Sequence, residues 1–426
     1  MSIRLSKLCE YFNYYKEKKI QINGVERSLS ELVTLLEPEC GDNGDFTVEH
    51  QATLLKLMLL ARYLTFPYLK VMDNEKSRYS SKYAGAQVIY FDPFAGSGVT
   101  CSSLGNDALP VPGSAIATVL LNYAEGMNYK PGVIDKFIFV DIENSNTKRL
   151  YKRLIKLKEL FNIQMKVKLL KLNNEDEIEA VSNLNGSSDY KKAKVEIRSF
   201  LDDKDSNVLI VTGSANIVTH AFVDAVFERD KSRKVWLHTL SFVDPSGPFQ
   251  YFHSSLSKLL QLPGDIIMLV HPELTNPLIR KWKSHEDWES LKKRVALAFG
   301  ISENDVEELV KRGEYKDFYI NMIRKLIEEE TKISWLEKRR KMLPVPLTID
   351  ARNGTHYYIV LGIRKDAEKF INYVNELAGE LESLSKVNIN EFVFKLLKGD
   401  ESYVTIYGRL KDLCLRQKLD YYFTQP

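Results

Sequence analysis

The chain has 426 residues, of which 44% are hydrophobic and 11% aromatic, and its 60 basic and 57 acidic side chains leave a formal charge of +3. That length and apolar content exclude a disordered or fibrous protein and allow one large folded unit with appendages, or two domains. The near balance of charge excludes an overall basic or acidic polymer-like chain, so any nucleic-acid contact has to come from local clusters.

In chain order, residues 4–18 and 29–37 read as short amphipathic helices. A longer helix is expected over about 47–71, where Leu54, Leu55, Met58, Leu59, Tyr63 and Leu64 recur at helical spacing. The polar stretch Asp73–Lys82 leads into a first strand at 87–92, followed by a loop and a helix beginning near Gly113-Ser114. A strand at 136–141 precedes a basic helix at 145–160, and strands at about 165–172 and 207–212 bracket a helix-prone acidic segment. A helix at 217–228 leads to a strand at 234–243, and a further strand runs through Ile266–Val270. Strands alternating with helices predict a parallel, doubly wound α/β sheet. Helical sequence then occupies 286–332. Pro344–Asp350 and His356–Arg364 read as two β runs around Asn353-Gly354, which predicts a terminal antiparallel hairpin. The tail, Asn388–Phe423, holds two helix-prone runs; a packing or dimerisation segment is preferred there over a small helix-turn-helix module. The division expected is a helical N-terminal extension over 1–85, an α/β domain over 86–380 and a C-terminal helical tail over 381–426.

The most informative stretch is Val88–Gly98, VIYFDPFAGSG. An apolar strand ends in Asp92, and the turn Pro93-Phe94-Ala95-Gly96-Ser97-Gly98 follows. In a parallel sheet a ligand binds there, outside the carboxyl end of a strand. Glycines let the backbone turn tightly and approach a ligand without a Cβ in the way. A dinucleotide fingerprint needs a third glycine that Val99, Thr100 and Cys101 do not supply, and a Walker A loop needs a Lys after Gly98. The form D-x-F-x-G-x-G instead resembles motif I of class I S-adenosylmethionine (SAM) methyltransferases. Its wording is closest to those that methylate nucleic-acid amines. The resemblance implies a Rossmann-like class I methyltransferase fold, with Asp92, Phe94, Gly96, Ser97 and Gly98 at the cofactor.

Two further strand ends extend the reading. Phe137–Val140 runs into Asp141, and an acid at the end of the second strand of a nucleoside-binding α/β fold takes the ribose hydroxyls. Glu143 is the reserve, or else a helix N-cap. The wide gap from the glycine loop is attributed to an insertion at Leu104–Pro112. Val235–Val243 ends in Asp244-Pro245-Ser246-Gly247, where methyltransferases of exocyclic amines carry [DN]PP[YF]. An aromatic amine is a poor nucleophile because its lone pair is delocalised into the ring. A carboxylate or amide oxygen together with the proline carbonyl can accept its hydrogens and steer the lone pair to the methyl group. Asp244 and Pro245 are the catalytic candidates. Phe249 and Tyr251 are the candidate surfaces for stacking on a flipped base. The alternative for Asp244 is a turn residue that caps the next helix.

With these motifs together, the chain resembles the three-Cys-motif partner (TcmP) family of methyltransferase-like proteins over about residues 45–380. The matching features are a helical lead-in at Gln51–Tyr68, YFDPFAGSG, Gly113-Ser114-Ala115, Phe137–Asp141, Val211–Asn216, FVDPSG and the hairpin over Pro344–Arg364. The resemblance implies a SAM-binding protein. Ser214 stands where the family has Asp, so Asn216 becomes the candidate contact to the adenine. Ser97 replaces a common Pro, and Ser246 replaces the Phe of DPFG.

Basic clusters at Lys148–Lys158 and Lys338–Lys341 could follow a phosphate backbone, although a solvated helix face explains the first more simply. The seven histidines show no metal-ligand spacing, and a sulfonium methyl needs no metal. The four cysteines form no CxxC pair, so reduced thiols are expected. The N-terminal stretch lacks the apolar core of a signal peptide, and no segment reaches the ~20 apolar residues of a membrane span. A cytoplasmic protein without a membrane partner is therefore expected. The expected function is SAM-dependent methylation of nucleic acid, RNA or DNA, at a base amine. The alternative is a silent member of the fold that binds a partner protein or nucleic acid.

Overall fold

A computed structural model describes residues 85–270, apart from 105, 106, 234 and 248, together with 19–28, 47–48, most of 56–83, 288–328, 340–350, 355–364 and a few isolated positions. The expected helix at 4–18, the stretch after 372 and the tip of the hairpin at 351–354 lie outside the described residues.

The first described element is a small antiparallel hairpin, β1 (Lys19–Ile22) and β2 (Val25–Ser28). Its turn is Asn23-Gly24, both with positive φ (49° and 76°), the residue pair that a two-residue turn requires. A short strand, β3 (Thr47–Val48), comes next. The helix expected over 47–71 therefore starts later and ends later. Described helical residues run from Lys56, pass through a π-helical turn at Leu64–Tyr68, and continue as α1 (Leu69–Tyr79). Pro67 lies in the π turn, where its missing N–H breaks the i→i−4 ladder. Much of the polar stretch after Asp73 is thus the solvent side of a helix, not a linker.

Next come β4 (Ala86–Asp92), β5 (Val99–Leu104), β6 (Asp107–Pro112), α2 (Ser114–Tyr123), β7 (Lys136–Asp141) and α3 (Asn144–Phe161). After them come β8 (Val167–Lys171), α4 (Glu177–Ser182), α5 (Ser188–Asp202), β9 (Val208–Thr212), α6 (Ala215–Arg233) and β10 (Trp236–Val243). The chain continues through α7 (His253–Leu259), β11 (Gly264–Val270), α8 (Trp288–Phe299), α9 (Glu303–Arg312), α10 (Tyr315–Glu328), β12 (Arg340–Asp350) and β13 (Thr355–Arg364). The region read as an insertion, Leu104–Pro112, is half of the β5–β6 hairpin, which pairs with β3 in a three-stranded sheet.

The central sheet has eight strands in the order β12-β13-β11-β10-β4-β7-β9-β8. Strands β11, β10, β4, β7, β9 and β8 are parallel, and β13 and β12 add antiparallel at one edge. This is a mixed α/β architecture with a mostly parallel sheet flanked by helices, compatible with a Rossmann-like fold. The period-two alternation of strand side chains builds two cores, one on each face. Val88, Tyr90, Phe137, Phe139, Leu240 and Phe242 pack with α2, α3 and the helical lead-in. Ile89, Phe91, Ile138, Val140 and Val243 pack with α5 to α10.

The lead-in is part of the first core. Leu59, Leu60, Tyr63 and Leu64 have no exposed surface. A fully buried leucine contributes ~1.5–3 kcal/mol, so these residues anchor the segment firmly to the sheet. The Tyr68 hydroxyl is 3.0 Å from His238 Nδ1 on β10, and Tyr79 stacks on Trp236 at 5.1 Å. Cys101 is disulfide-bonded, which corrects the expectation of reduced thiols. Among the described residues, no helix is long and apolar enough to cross a membrane.

Candidate active site

After β4 the chain steps to β7 on one side, and it later returns to place β10 on the other. Ligands of open α/β sheets bind at such a reversal, outside the carboxyl ends of the strands. Register pairs Ser241 with Phe91, and Asp92 with Phe139. Asp92, Asp141 and Asp244 therefore emerge at one sheet edge. Each lies an even number of residues from a neighbour in the first core, so all three belong to that face.

The glycine loop between β4 and β5 is held by its own backbone and by its neighbours. Ala95 N donates to Val140 O (2.9 Å), and Gly113 N donates to Gly98 O (2.8 Å). Gly96 and Gly98 both have positive φ, 59° and 83°. They differ in surroundings. A Cβ on Gly98 would sit 2.7 Å from Leu150 Cδ1 and 2.8 Å from Ile116 Cγ1, whereas one on Gly96 would meet nothing within 4 Å. Gly98 is thus required by packing, and Gly96 opens onto free space beside the loop. Ser97 is buried, and its hydroxyl donates to Val99 O. Arg153, on α3 and also buried, donates from Nη1 to Ser97 O (2.9 Å) and from Nε to Leu36 O (3.0 Å), joining the loop to Leu36 of the N-terminal region.

Asp92 has no exposed surface. Its Oδ1 accepts from Phe94 N (3.1 Å) and its Oδ2 from the Ser114 hydroxyl (2.6 Å). The residue shapes the loop and aims it at the start of α2. Burial raises its carboxyl from 3.8 to about 7; those two hydrogen bonds oppose the shift, and Asp244 and Asp141 add to it. A folded state that holds its proton more tightly than the unfolded chain loses stability as pH climbs from the unfolded value to the folded one. Asp92 should therefore lower stability progressively between about pH 4 and 7, with no further loss above. An isosteric Asp92→Asn variant keeps the Phe94 bond and donates to Ser114 instead. It should flatten that slope and add at most about 4 kcal/mol at pH 8, read from urea unfolding at several pH values.

Asp141 is half-buried. Its Oδ1 accepts from Glu143 N (2.7 Å) and Asn146 Nδ2 (3.2 Å). Burial raises its carboxyl, and these donors, with the Gly96 amide, act against that rise. Glu143 itself is exposed. The Asp141 carboxylate is thus tied to the Gly96 amide, while the Cβ side of Gly96 stays open.

Asp244 is ion-paired with Lys56 of the helical lead-in, with only 16% and 15% of the two side chains exposed. Pro245 is buried behind it, and the Ser246 hydroxyl donates to Gln250 Oε1 (2.8 Å). Phe249 and Tyr251, read as stacking surfaces, sit in the second core. Phe249 packs edge-on to Phe299 at 5.8 Å, and the Tyr251 hydroxyl is 3.0 Å from Thr219 Oγ1. Phe94, half-buried and edge-on to Tyr251 at 5.7 Å, is the aromatic ring the loop itself offers.

Asn216 is fully buried and heavily engaged. Its amide donates to Glu177 Oε1 and Gln250 O (2.9 Å each), and its oxygen accepts from Phe252 N (2.8 Å). Both amide hydrogens are used within the fold. Glu177, on α4, was not singled out in the sequence. It accepts from the Ser214 hydroxyl and from Arg294 Nη1 (3.1 Å), so it brings a carboxylate beside Ser214 at the carboxyl end of β9. Lys56 and Glu177 reach this edge from distant segments, and neither belongs to a local motif. Gly113-Ser114, by contrast, was visible as a helix start.

Among the described residues, no group of three or more His, Cys, Asp or Glu side chains could hold a metal ion. No family model matches the chain, and no curated protein matches it.

Proposed function

We propose that the chain is a SAM-dependent methyltransferase of the class I fold, acting on nucleic acid at an exocyclic amine of a base. One observation carries the reading: a glycine loop with positive φ, Asp141 and the Asp244-Pro245 turn share one edge and one face of the sheet, across the point where strand order reverses. The open space beside Gly96 suits a ligand lying against bare backbone, and Asp141 next to it suits a ribose. The antiparallel β12–β13 pair on a parallel sheet supports the class I assignment, and the TcmP resemblance belongs to the same proposal.

In this reading Gly96, Gly98 and Asp141 hold the cofactor, while Asp92 and Ser97 shape the loop from behind. SAM, when bound, supplies an electrophilic methyl group. Asp244 accepts a hydrogen bond from the acceptor amine and, with the Pro245 carbonyl, turns the nitrogen lone pair out of conjugation. Phe94 is the loop ring available to a base. A cytoplasmic place is part of the proposal, and the Cys101 disulfide stands against it, since disulfides persist mainly in oxidising compartments.

A second reading is a silent fold member that binds a partner protein or nucleic acid. It is favoured by the burial of Phe249 and Tyr251, which leaves the Asp-Pro turn without the aromatic face that amine methyltransferases present. Calorimetry separates the two. The enzyme reading expects saturable heat with SAM and with its demethylated product, then transfer of tritiated methyl to an RNA or DNA pool. Absence of heat at saturating concentration leaves only the partner-binding reading.

A further inference from the structure

We propose that Lys56 is a positioning residue of this active site, fixing the Asp244 carboxylate in the orientation that receives the acceptor amine. The inference rests on the methyltransferase reading of the same site. It makes the helical lead-in a working wall of the site instead of an appendage.

Three observations carry it. First, the ion pair lies at the carboxyl end of β10 with about five-sixths of each side chain covered, so both partners are confined. Lys56 engages Oδ2 of Asp244, and Oδ1 is then the oxygen assigned to the acceptor amine. Second, three carboxyl groups, Asp92, Asp141 and Asp244, gather at this edge, and the latter two both repel Asp92. Asp92 and Asp141 accept from loop amides, whereas Asp244 takes the ammonium of Lys56, which comes from outside the sheet. Third, the helical run that carries Lys56 is locked. Leu59, Leu60, Tyr63 and Leu64 are wholly buried in the core beneath β4 and β10. A lysine on a rigid, buried helix turns a mobile carboxylate into an oriented one, and orientation at the reacting atom is worth far more in rate than in binding.

The test uses the full chain with three variants: Lys56→Met, which removes the ammonium but keeps the length, Lys56→Arg, which restores a cation, and Asp244→Asn. SAM affinity by calorimetry should stay within roughly threefold in Lys56→Met. Turnover on the nucleic-acid pool that wild type methylates should fall roughly 30-fold with KM for SAM unchanged, and Lys56→Arg should recover most of the loss. Independently of any cofactor, a urea-unfolding cycle of Lys56→Met, Asp244→Asn and the double variant should show roughly tenfold coupling in the unfolding equilibrium. If wild type gives heat with SAM but the coupling is absent, or Lys56→Met turns over like wild type, the inference is overturned alone. A Lys56→Met variant whose lost turnover is not restored by Lys56→Arg overturns it too, because a packing role would behave that way. If wild type gives no heat with SAM, the methyltransferase reading has failed first and takes the inference with it.

Discussion

Replacing Asp244 by Ala is expected to lower methyl transfer by ~10²- to 10⁴-fold, the range typical for a positioned group that handles the nucleophile's proton. SAM affinity should change little, since the residues proposed to hold the cofactor lie on β4, its loop and β7. Asp244→Asn is the informative companion. Its amide oxygen can still accept from an amine, so it should retain more turnover than Asp244→Ala. Removing the carboxylate also leaves Lys56 mostly buried without its partner. Breaking such a pair costs more than the pair contributed, so a modest fall in the urea midpoint should accompany Asp244→Ala. Turnover of Asp244→Ala equal to wild type would remove Asp244 from the chemistry and with it the amine assignment.

The second large effect is at Gly98. An alanine there must adopt φ near +83° and place its methyl 2.7 Å from Leu150 and 2.8 Å from Ile116. The left-handed backbone costs ~1–2 kcal/mol and overpacking a further ~1–3. Together that is a large part of the ~5–15 kcal/mol by which a domain is stable. Gly98→Ala should therefore unfold at clearly lower urea than wild type. Gly96→Ala should behave differently, because its methyl enters open space. Only the backbone strain remains, and the expected loss is in SAM affinity. Calorimetry and urea unfolding on the two variants should give opposite rankings; identical behaviour would mean that the loop is structural throughout.

The parallel sheet was legible because its strands are buried on both faces. Runs such as Val88–Phe91, Phe137–Val140 and Val208–Val211 are continuously apolar and stand out against amphipathic helices. The terminal hairpin was legible from Asn353-Gly354 between two β runs, and the paired strands were found where expected. The same dipeptide signal at Asn23-Gly24 stood out less because the surrounding segments, KIQI and VERS, are short and at most half apolar. The β5–β6 hairpin was read as an insertion because Pro110 and Pro112 look like loop residues; a strand at the rim of a small sheet tolerates them. Helix α1 was cut short because its outer residues, from Asp73 onward, are polar and its apolar stripe thins.

For the site, each strand-end acid was found from sequence, since an apolar run that stops at Asp marks the sheet edge directly. The roles of some of these residues were not. Whether Asp92 faces a ligand or a serine, and whether Asn216 has a hydrogen to spare, depends on Ser114, Glu177 and Gln250, which sequence does not place. Lys56 is the clearest case. A lysine on an apolar helix is indistinguishable from a solvated charge until the fold sets it against Asp244.

The guanidinium of Arg153 has a consequence for how this protein opens. Because one buried side chain serves both Ser97 O and Leu36 O, releasing either carbonyl takes a hydrogen bond from a charge held in the interior. Leu36 and the turn through Ser97 should then open together, with matched hydrogen-exchange protection despite their separation along the chain.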